Sequence, residues 1–266
     1  MKTILHRLAT GLFVAALLST TAFAQTFPGS DDFSAGESAK WDDEVIRFAG
    51  ATSDGNLGFA NGWLEYTKAA TAGGTVTNQF IRWNSGNGTS PDMFSYTTSW
   101  VMTVDVTNTV VGGALTSIGI QVSNYNNDGY ASIYLAESGN STDVYARATG
   151  TGLSAVSSGT FSDNTDITLR FDWDASNQIL SSSYAIDGTT FTSLASYAVG
   201  GWSTAPTDGF VMGIWAQSSI AAEITSGQLY ADNFAVSAVP EPSTYAAIAG
   251  ALMLGFAAWK RRGKRA

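Results

Sequence analysis

The chain has 266 residues, no cysteine and one histidine, His6. Residues 25–238 hold six Lys or Arg against 21 Asp or Glu, a formal charge of −15 that disfavours binding to nucleic-acid phosphates. In that segment the composition excludes Ser-His-Asp and Cys-His catalysis, disulfides and His-ligated transition metals. Carboxylate, tyrosine or lysine chemistry and all-oxygen metal sites remain open.

The first 24 residues predict a secretory signal peptide. Lys2 and Arg7 precede an apolar run, and Ala22 and Ala24 form the small-x-small cleavage site before Gln25. We therefore expect residues 1–24 to act as a signal helix, to direct the chain into the Sec export machinery and to be removed.

Residues 25–238 show the apolar and polar alternation of β-strands. Every second residue is apolar in residues 100–107 and again in 167–174, which predicts half-buried antiparallel strands. No part of this segment keeps a 3.6-residue apolar period, so we predict one all-β domain, an antiparallel β-sandwich or a barrel. Further strands are predicted at residues 63–68, 79–83, 118–123, 131–136, 144–149, 180–186, 190–194, 210–216 and 228–236.

The last 28 residues, 239–266, form a tail of three parts. Residues 239–244 contain Pro240, Glu241 and Pro242, residues 245–259 are mostly apolar, and residues 260–266 are basic. The apolar part predicts a single transmembrane helix, and the basic part is expected to stay in the cytoplasm. At about 1.5 Å per residue, the apolar part spans less than the roughly 30 Å hydrocarbon core, which favours transient insertion.

This tail resembles the PEP-CTERM sorting signal of Gram-negative bacteria. The match rests on Pro240-Glu241-Pro242, the apolar run and the pair Arg261-Arg262. The resemblance implies that an exosortase cleaves near the Pro-Glu-Pro motif and that the body reaches the cell surface or the extracellular matrix. Bacteria with such proteins typically make an exopolysaccharide matrix, so extracellular polysaccharide is the implied partner.

A second resemblance concerns residues 167–191. A strand over 167–174, a turn, a strand over 179–186, the pair Asp187-Gly188 and a further strand resemble the meander of concanavalin A-like, or laminin-G-like, jelly rolls. Residues 31–33 and 230–234 resemble the first and last strands of such domains. The resemblance implies a jelly-roll sandwich whose terminal strands pair.

Asp232 is the main candidate for a metal ligand. It has the same parity as Tyr230 and Phe234, so a regular strand turns its carboxylate toward the apolar side, where an unpaired charge is costly. In the resembled fold a structural calcium often lies near the paired termini, which implies a site formed by Asp232 with Asp31 or Asp32. A β-bulge, or hydrogen bonds from loop amides, would instead explain Asp232 without calcium.

Two loops combine aromatic rings with amides and carboxylates, a combination suited to sugar rings and their hydroxyls. The loops cover residues 82–88 and 124–130, and turn-flanking packing is the alternative role of their aromatic residues. The candidate carbohydrate contacts are Trp83, Asn84, Tyr125, Asn127, Asp128 and Tyr130.

The expected function is polysaccharide binding without catalysis. Laminarinase-like enzymes of the concanavalin A-like fold carry clustered glutamates on one strand, and this chain lacks that motif, so we expect no enzyme and no required cofactor. A glycan-active hydrolase that uses a carboxylate pair, such as Asp172 and Asp174, stays open as an alternative. A structural or ice-binding-type surface protein without a small ligand is the other alternative.

Overall fold

A computed structural model describes most of the chain between residues 29 and 239. The described residues are 29–36, 41, 46–47, 55–70, 77–82, 94–110, 115–124, 129–138, 141–148, 156–161, 166–202, 205–206, 209–239, 249–256 and 260. Within them the chain forms fifteen β-strands, and every pairing between strands is antiparallel. The prediction of an all-β antiparallel body is confirmed.

The strands are numbered in chain order, and a short 3-10 turn at Val199–Gly201 follows the thirteenth. They are β1 (Ser30–Asp31), β2 (Ile46–Arg47), β3 (Gly55–Ala60), β4 (Trp63–Lys68), β5 (Thr77–Arg82), β6 (Trp100–Asn108), β7 (Thr116–Ser123), β8 (Tyr130–Ser138), β9 (Ser141–Ala148), β10 (Val156–Phe161), β11 (Asp166–Asp174), β12 (Ile179–Ala185), β13 (Thr192–Ala198), β14 (Val211–Ser218) and β15 (Leu229–Ala238).

These strands form two sheets. The first sheet has eight strands in the order β13-β12-β11-β6-β15-β4-β3, with β1 also paired to β15. The second sheet has seven strands in the order β10-β9-β8-β7-β14-β5-β2. Their apolar faces enclose one core, as in a β-sandwich.

The core confirms the predicted parity of the long strands. In β6 the side chains of Trp100, Met102 and Val104 are fully buried, and β11 buries Leu169 and Phe171 in the same way. The second sheet contributes inward-facing residues of β7, β8 and β14 to the same cluster. The alternate residues of β6 and β11 therefore point away from the core, onto the outer face of the first sheet.

The hairpin between β3 and β4 was not predicted in full, because β3 was missed. Its turn residues Asn61 and Gly62 both have positive φ, 55° and 84°, as a type I′ turn requires. Asn-Gly is the strongest short sequence signal for this turn. The missed strand contains Gly55 and Gly58, and glycine is depleted in strands, which explains why its pattern was weak.

The prediction that Asp232 faces the core is wrong, because β15 contains a β-bulge. The register between β15 and β6 shifts between Asp232 and Ala235, and Asn233 has a left-handed φ of 52°. Ala231 and Phe234 are consequently both fully buried, while Asp232 is half-buried on the outer face. The bulge, which was the alternative explanation for Asp232, is confirmed.

The two predicted terminal signals fall largely outside the described residues. Residues 249–256 are helical and mostly exposed, and the described segments contain no helix long and apolar enough to cross a membrane. The following predicted residues lie outside the described segments, and their roles remain predictions: Ala22, Ala24, Gln25, Pro240, Glu241, Pro242, Arg261 and Arg262.

Candidate functional site

Two cross-strand rows of polar side chains lie next to each other on the outer face of the first sheet. In one row Asp105 of β6 lies directly opposite Asp232 of β15 on one side and Thr168 of β11 on the other. The next row, described by the same pairings, consists of Tyr230, Thr107 and Asp166. Neighbouring side chains in such rows are within contact distance, so residues far apart in sequence meet here.

These rows line a cleft with a volume of about 330 Å³. The turn after β12, with Ile186, Asp187 and Gly188, forms one wall, and Asn233 of the bulge lies on the opposite side. Asp187 and Asn233 are exposed, whereas Asp105 and Asp232 are half-buried, so the cleft is open to solvent above its carboxylates.

Hydrogen bonds hold two of the carboxylates in place. Asp105 Oδ1 accepts a hydrogen bond from Thr168 Oγ1 at 2.5 Å, and its Oδ2 accepts one from Asn233 Nδ2 at 3.0 Å. In the adjacent row Thr107 Oγ1 donates to Asp166 Oδ1. The bulge, in which Asn233 has a left-handed backbone, therefore places the Asn233 side-chain amide where it can donate to Asp105.

The carboxylates of the cleft differ in their electrostatics. Burial raises the pKa of Asp232, and the nearby carboxylates of Asp105 and Asp32 add to this rise, against a backbone hydrogen bond from Asn233 that lowers it. Hydrogen bonds from Thr190 and Thr189 lower the pKa of Asp187 well below its ordinary value. The environment of the cleft thus raises the pKa of one acid, Asp232, and lowers the pKa of another, Asp187.

An aromatic pair borders these acids. Trp63 of β4 stacks on Tyr230 with ring centroids 4.5 Å apart and an interplanar angle of 21°. Both rings are half-buried, so part of their surface faces solvent beside the carboxylates. Flat apolar surface next to hydrogen-bond acceptors is the arrangement that carbohydrate sites use.

The three residues predicted to bind calcium are in different environments. Asp31 is buried and accepts hydrogen bonds from Trp41 Nε1 at 3.1 Å and from the Phe33 amide at 3.0 Å. Asp32 is exposed and accepts hydrogen bonds from the amide and hydroxyl of Ser34. Among the described residues, no group of three or more acidic or histidine side chains is placed to hold a metal ion. Calcium binding by Asp31, Asp32 and Asp232 remains a prediction.

The predicted carbohydrate loops are only partly described. Tyr130 begins β8 on the outer face of the second sheet, with the Arg147 guanidinium 6.0 Å from its ring centroid. The other five candidates, Trp83, Asn84, Tyr125, Asn127 and Asp128, lie outside the described residues. The role of these six residues as carbohydrate contacts therefore remains a prediction.

Asp172 and Asp174, the carboxylate pair suggested by sequence spacing, make contacts within β11 and the turn that follows it. Arg170 forms a salt bridge with Asp172, and its Nε donates to Asp172 Oδ2 at 2.8 Å. Asp174 accepts hydrogen bonds from the Ser176 and Asn177 amides at 2.9 and 3.1 Å, which closes the turn between β11 and β12. Neither acid lines the cleft around Asp105 and Asp232, which is therefore the better candidate site.

Sequence reasoning missed Asp105, Thr107, Asp166 and Thr168 as site residues. The signal was present, because polar residues alternate with core residues in both β6 and β11. Alternation within a strand does not tell which strands pair, and the paired residues of β6 and β11 are about 60 residues apart in sequence. Only the sheet order places the four residues in one cleft.

No family model and no curated protein sequence matches this chain. Similar solved structures include a GH43 glycoside hydrolase engineered to display both endo-xylanase and exo-arabinofuranosidase activity, with 16% identity, a TM-score of 0.50, and 82% of this chain and 42% of the enzyme covered. A bifunctional GH43-CE protein of Bacteroides eggerthii has 11% identity and a TM-score of 0.50, with 80% and 26% covered. Lectin II from Ulex europaeus has 9% identity and a TM-score of 0.49, with 75% and 100% covered.

This chain thus spans less than half the length of the two GH43 proteins, and at these identities the likeness concerns the fold. The expectation that the body is not an enzyme is nevertheless corrected, because the similar structures include GH43 proteins, of which this chain covers 42% and 26%. That expectation rested on one absent glutamate motif. Glycoside hydrolysis requires only two suitably spaced carboxylates, and these need not be neighbours in sequence.

Proposed function

We propose that this chain is an exported surface or matrix protein whose β-sandwich binds neutral polysaccharide in the cleft of the first sheet. The observation that carries the proposal is the ring of Tyr230, which lines the cleft together with Asp105 and Asp232 and stacks on Trp63. The rings offer a flat surface to a sugar ring, and the carboxylates accept hydrogen bonds from its hydroxyls.

Size and charge narrow the ligand class. A volume of about 330 Å³ lies at the lower end of the roughly 300–1,000 Å³ range of small-molecule sites, which suits one or two sugar residues of a longer chain. The charge of −15 over residues 25–238 disfavours a polyanionic glycan through long-range repulsion. A neutral, hydroxyl-rich chain matches both properties.

We further propose that the sandwich is a concanavalin A-like jelly roll. Support comes from the pairing of β1 with β15, which joins the two ends of the domain, and from the meander β11-β12-β13. The meander turns contain Asp174 and Asp187, both in hydrogen bonds that close their turns. An experimental structure with a different connection order would refute this assignment.

Affinity electrophoresis of the full-length protein tests the binding proposal. We expect gels cast with xylan, arabinan or mixed-linkage β-glucan to retard the protein, and Asp105→Asn to weaken the retardation at least tenfold in apparent Kd. Asp172→Asn, on the same face but outside the cleft, is the matched control and should bind as the unchanged protein does. Equal retardation of all three proteins would refute the cleft as the binding site.

Glycoside hydrolysis in the same cleft is the second candidate function. Asp232 and Asp105 are directly opposite on neighbouring strands, where Cβ atoms are about 4.5–5.5 Å apart, so their carboxyl groups are close enough to reach the roughly 5–5.5 Å separation of retaining enzymes. The raised pKa of Asp232 suits a general acid, and Asp105 is placed to act as the nucleophile.

A reducing-end assay on xylan and arabinan tests this second candidate. Activity lost in both Asp232→Asn and Asp105→Asn, with binding to the same polysaccharide retained in Asp232→Asn, would support it. Activity that survives both substitutions would refute it.

We also propose that the tail is an exosortase-processed PEP-CTERM signal and that the chain inserts transiently into the inner membrane after Sec export. Support comes from the order of Pro240-Glu241-Pro242, residues 245–259 and the basic cluster in the sequence. The intact mass of the protein from an exosortase-containing host tests it. A mature species that still carries residues 260–266 would contradict the proposal.

A further inference from the structure

The outer face of the second sheet carries a band of aromatic rings. Trp215 of β14, Gly119 of β7, Tyr134 of β8 and Tyr145 of β9 occupy one cross-strand row. Their neighbours in sequence, such as Ile118 and Ile133, are fully buried in the core, so this row belongs to the opposite face. We call Trp215, Tyr134 and Tyr145 the aromatic band.

Because Gly119 has no side chain, the rings of Trp215 and Tyr134 on the two flanking strands can contact each other above it. A Cβ atom at Gly119 would lie 2.2 Å from the carbonyl oxygen of Ile133 and 2.5 Å from Tyr134 Cα, so a side chain does not fit there. The rings of Trp215 and Tyr134 instead meet edge to face, with centroids 4.9 Å apart. Tyr134 and Tyr145 then stack at 5.6 Å with an interplanar angle of 18°.

Polar atoms without partners accompany the band. Trp215 Nε1, Ser117 Oγ and Asp143 Oδ1 are buried and have no hydrogen-bond partner within the described part of the chain. Their residues are only 7%, 0% and 8% exposed. Ser117 and Asp143 belong to the row adjacent to the band, separated by Ala136. Buried polar groups are almost always hydrogen-bonded, and three of the six exceptions among the described residues lie on this sheet face, beside the half-exposed rings of Tyr134 and Tyr145.

The three atoms define what a ligand of this face must offer. Trp215 supplies a donor, Asp143 an acceptor and Ser117 both, while Tyr134 and Tyr145 present half-exposed rings beside them. Asp143 and Arg147 precede and follow Tyr145 at alternate positions of β9, so the face offers one charge of each sign. A neutral sugar ring, which has an apolar face and hydroxyls that both donate and accept, satisfies these conditions.

We propose that the aromatic band and the polar atoms beside it form a second polysaccharide-binding site, separate from the cleft. The two sites are on opposite outer faces of the sandwich, because the cleft belongs to the first sheet and the band to the second. One molecule can then hold two glycan chains at once. Such a protein cross-links polysaccharide, and this consequence, unlike the second site itself, rests on the proposed function of the cleft.

The test uses the full-length protein and gels cast with xylan, arabinan or mixed-linkage β-glucan. Tyr145→Ala and Trp215→Phe are each made alone and in an Asp105→Asn background, which disables the cleft. Phe191→Ala, whose half-buried ring contacts Arg170 outside both sites, is the control for loss of an aromatic ring. Thermal unfolding of each variant confirms that it is folded before its binding is compared.

We expect the Asp105→Asn protein to keep part of its affinity for at least one probe and Tyr145→Ala in that background to weaken the remainder at least tenfold. Trp215→Phe keeps a ring but removes the N–H donor, so we expect a threefold to tenfold loss. The unchanged protein should increase the viscosity of a polysaccharide solution, and each single-site variant should bind without doing so.

The outcomes separate the two sites. Binding that is abolished by Asp105→Asn alone, or is insensitive to Tyr145→Ala and Trp215→Phe, refutes the second site and leaves the cleft standing. Binding that depends on Tyr145 and Trp215 but not on Asp105 refutes the cleft and supports the second site. An unchanged protein that none of the three probes retards refutes both.

Discussion

The two sheets bury similar apolar side chains inward but present different surfaces outward. On the first sheet, half-buried Asp105 is hydrogen-bonded to Thr168 and Asn233 within an open cleft. On the second sheet, Trp215 and Ser117 are more than nine-tenths buried and leave polar atoms without partners in the described chain. The difference shows that burial of a polar group and satisfaction of its hydrogen bonds are separate properties, since half-buried Asp105 has partners that the more deeply buried Trp215 and Ser117 lack.

The largest expected effect concerns the close packing of the second sheet. Gly119→Ala would place a carbon atom 2.2 Å from the Ile133 carbonyl oxygen, and neither backbone can move without disturbing the central strands. We expect a loss of about 3 kcal/mol in the free energy of unfolding, measured by denaturant titration. Gly58→Ala, near only the flexible Asn56 amide at 3.1 Å, is the control. Equal midpoints for the two variants would show that the second sheet is not so tightly packed.

A smaller effect is expected where the first sheet meets its terminal strand. Asp31→Ala removes the acceptor of the buried Trp41 indole and of the Phe33 amide, which should cost about 2 kcal/mol. The neighbouring Asp32→Ala, at an exposed acid, should change the free energy of unfolding by no more than about 0.5 kcal/mol. Similar losses in both variants would mean that the two acids act together.

The same variants test the calcium prediction. If Asp31, Asp32 and Asp232 bind calcium, the melting temperature of the full-length protein should rise with added calcium and fall with a chelator. Substitution of any of the three acids should then abolish that response. A melting temperature that changes with neither addition would contradict the calcium prediction.

Asp232→Asn is expected to stabilise the protein slightly. Burial and the facing Asp105 raise the pKa of Asp232, so the folded state holds its proton more tightly than the unfolded state and loses stability as the pH rises through that pKa. At pH 7 we expect a gain of about 0.5 kcal/mol, the scale of a cross-strand pair, which should vanish below about pH 3. Denaturant titrations at both pH values check this. A variant less stable than the parent at pH 7 would mean that the facing acids are stabilised by a partner.

The smallest effect is expected at the rim of the cleft. Hydrogen bonds from Thr190 and Thr189 hold the pKa of the exposed Asp187 low, so its stabilising contribution is present above about pH 4 and declines as the pH falls further. Asp187→Ala should therefore lower the melting temperature at pH 7 and have a diminishing effect in acid. Glu223→Ala, at an exposed acid before β15, is the control, and an identical response in both variants would argue against a specific role of the turn.

Local patterns predicted the strands well where the apolar alternation was regular. Residues 100–107 and 167–174 contain large apolar residues at every second position, and β6 and β11 match these ranges closely. The alternation failed at Asp232, because a bulge adds one residue and reverses the facing of the later residues in the strand. A bulge of this kind depends on the neighbouring strand, so parity within β15 alone could not reveal it.

The sequence by itself determined the all-β class, the charge of the body, the absence of cysteine and of any histidine beyond His6, and the order of apolar and basic segments at both ends of the chain. These properties depend on composition and on local order, which are read directly from the residues. Only the tertiary structure decided that Asp105 faces Asp232 and that Trp215 meets Tyr134 across Gly119. Both encounters depend on which strands pair and in what register, and strand alternation determines neither of these.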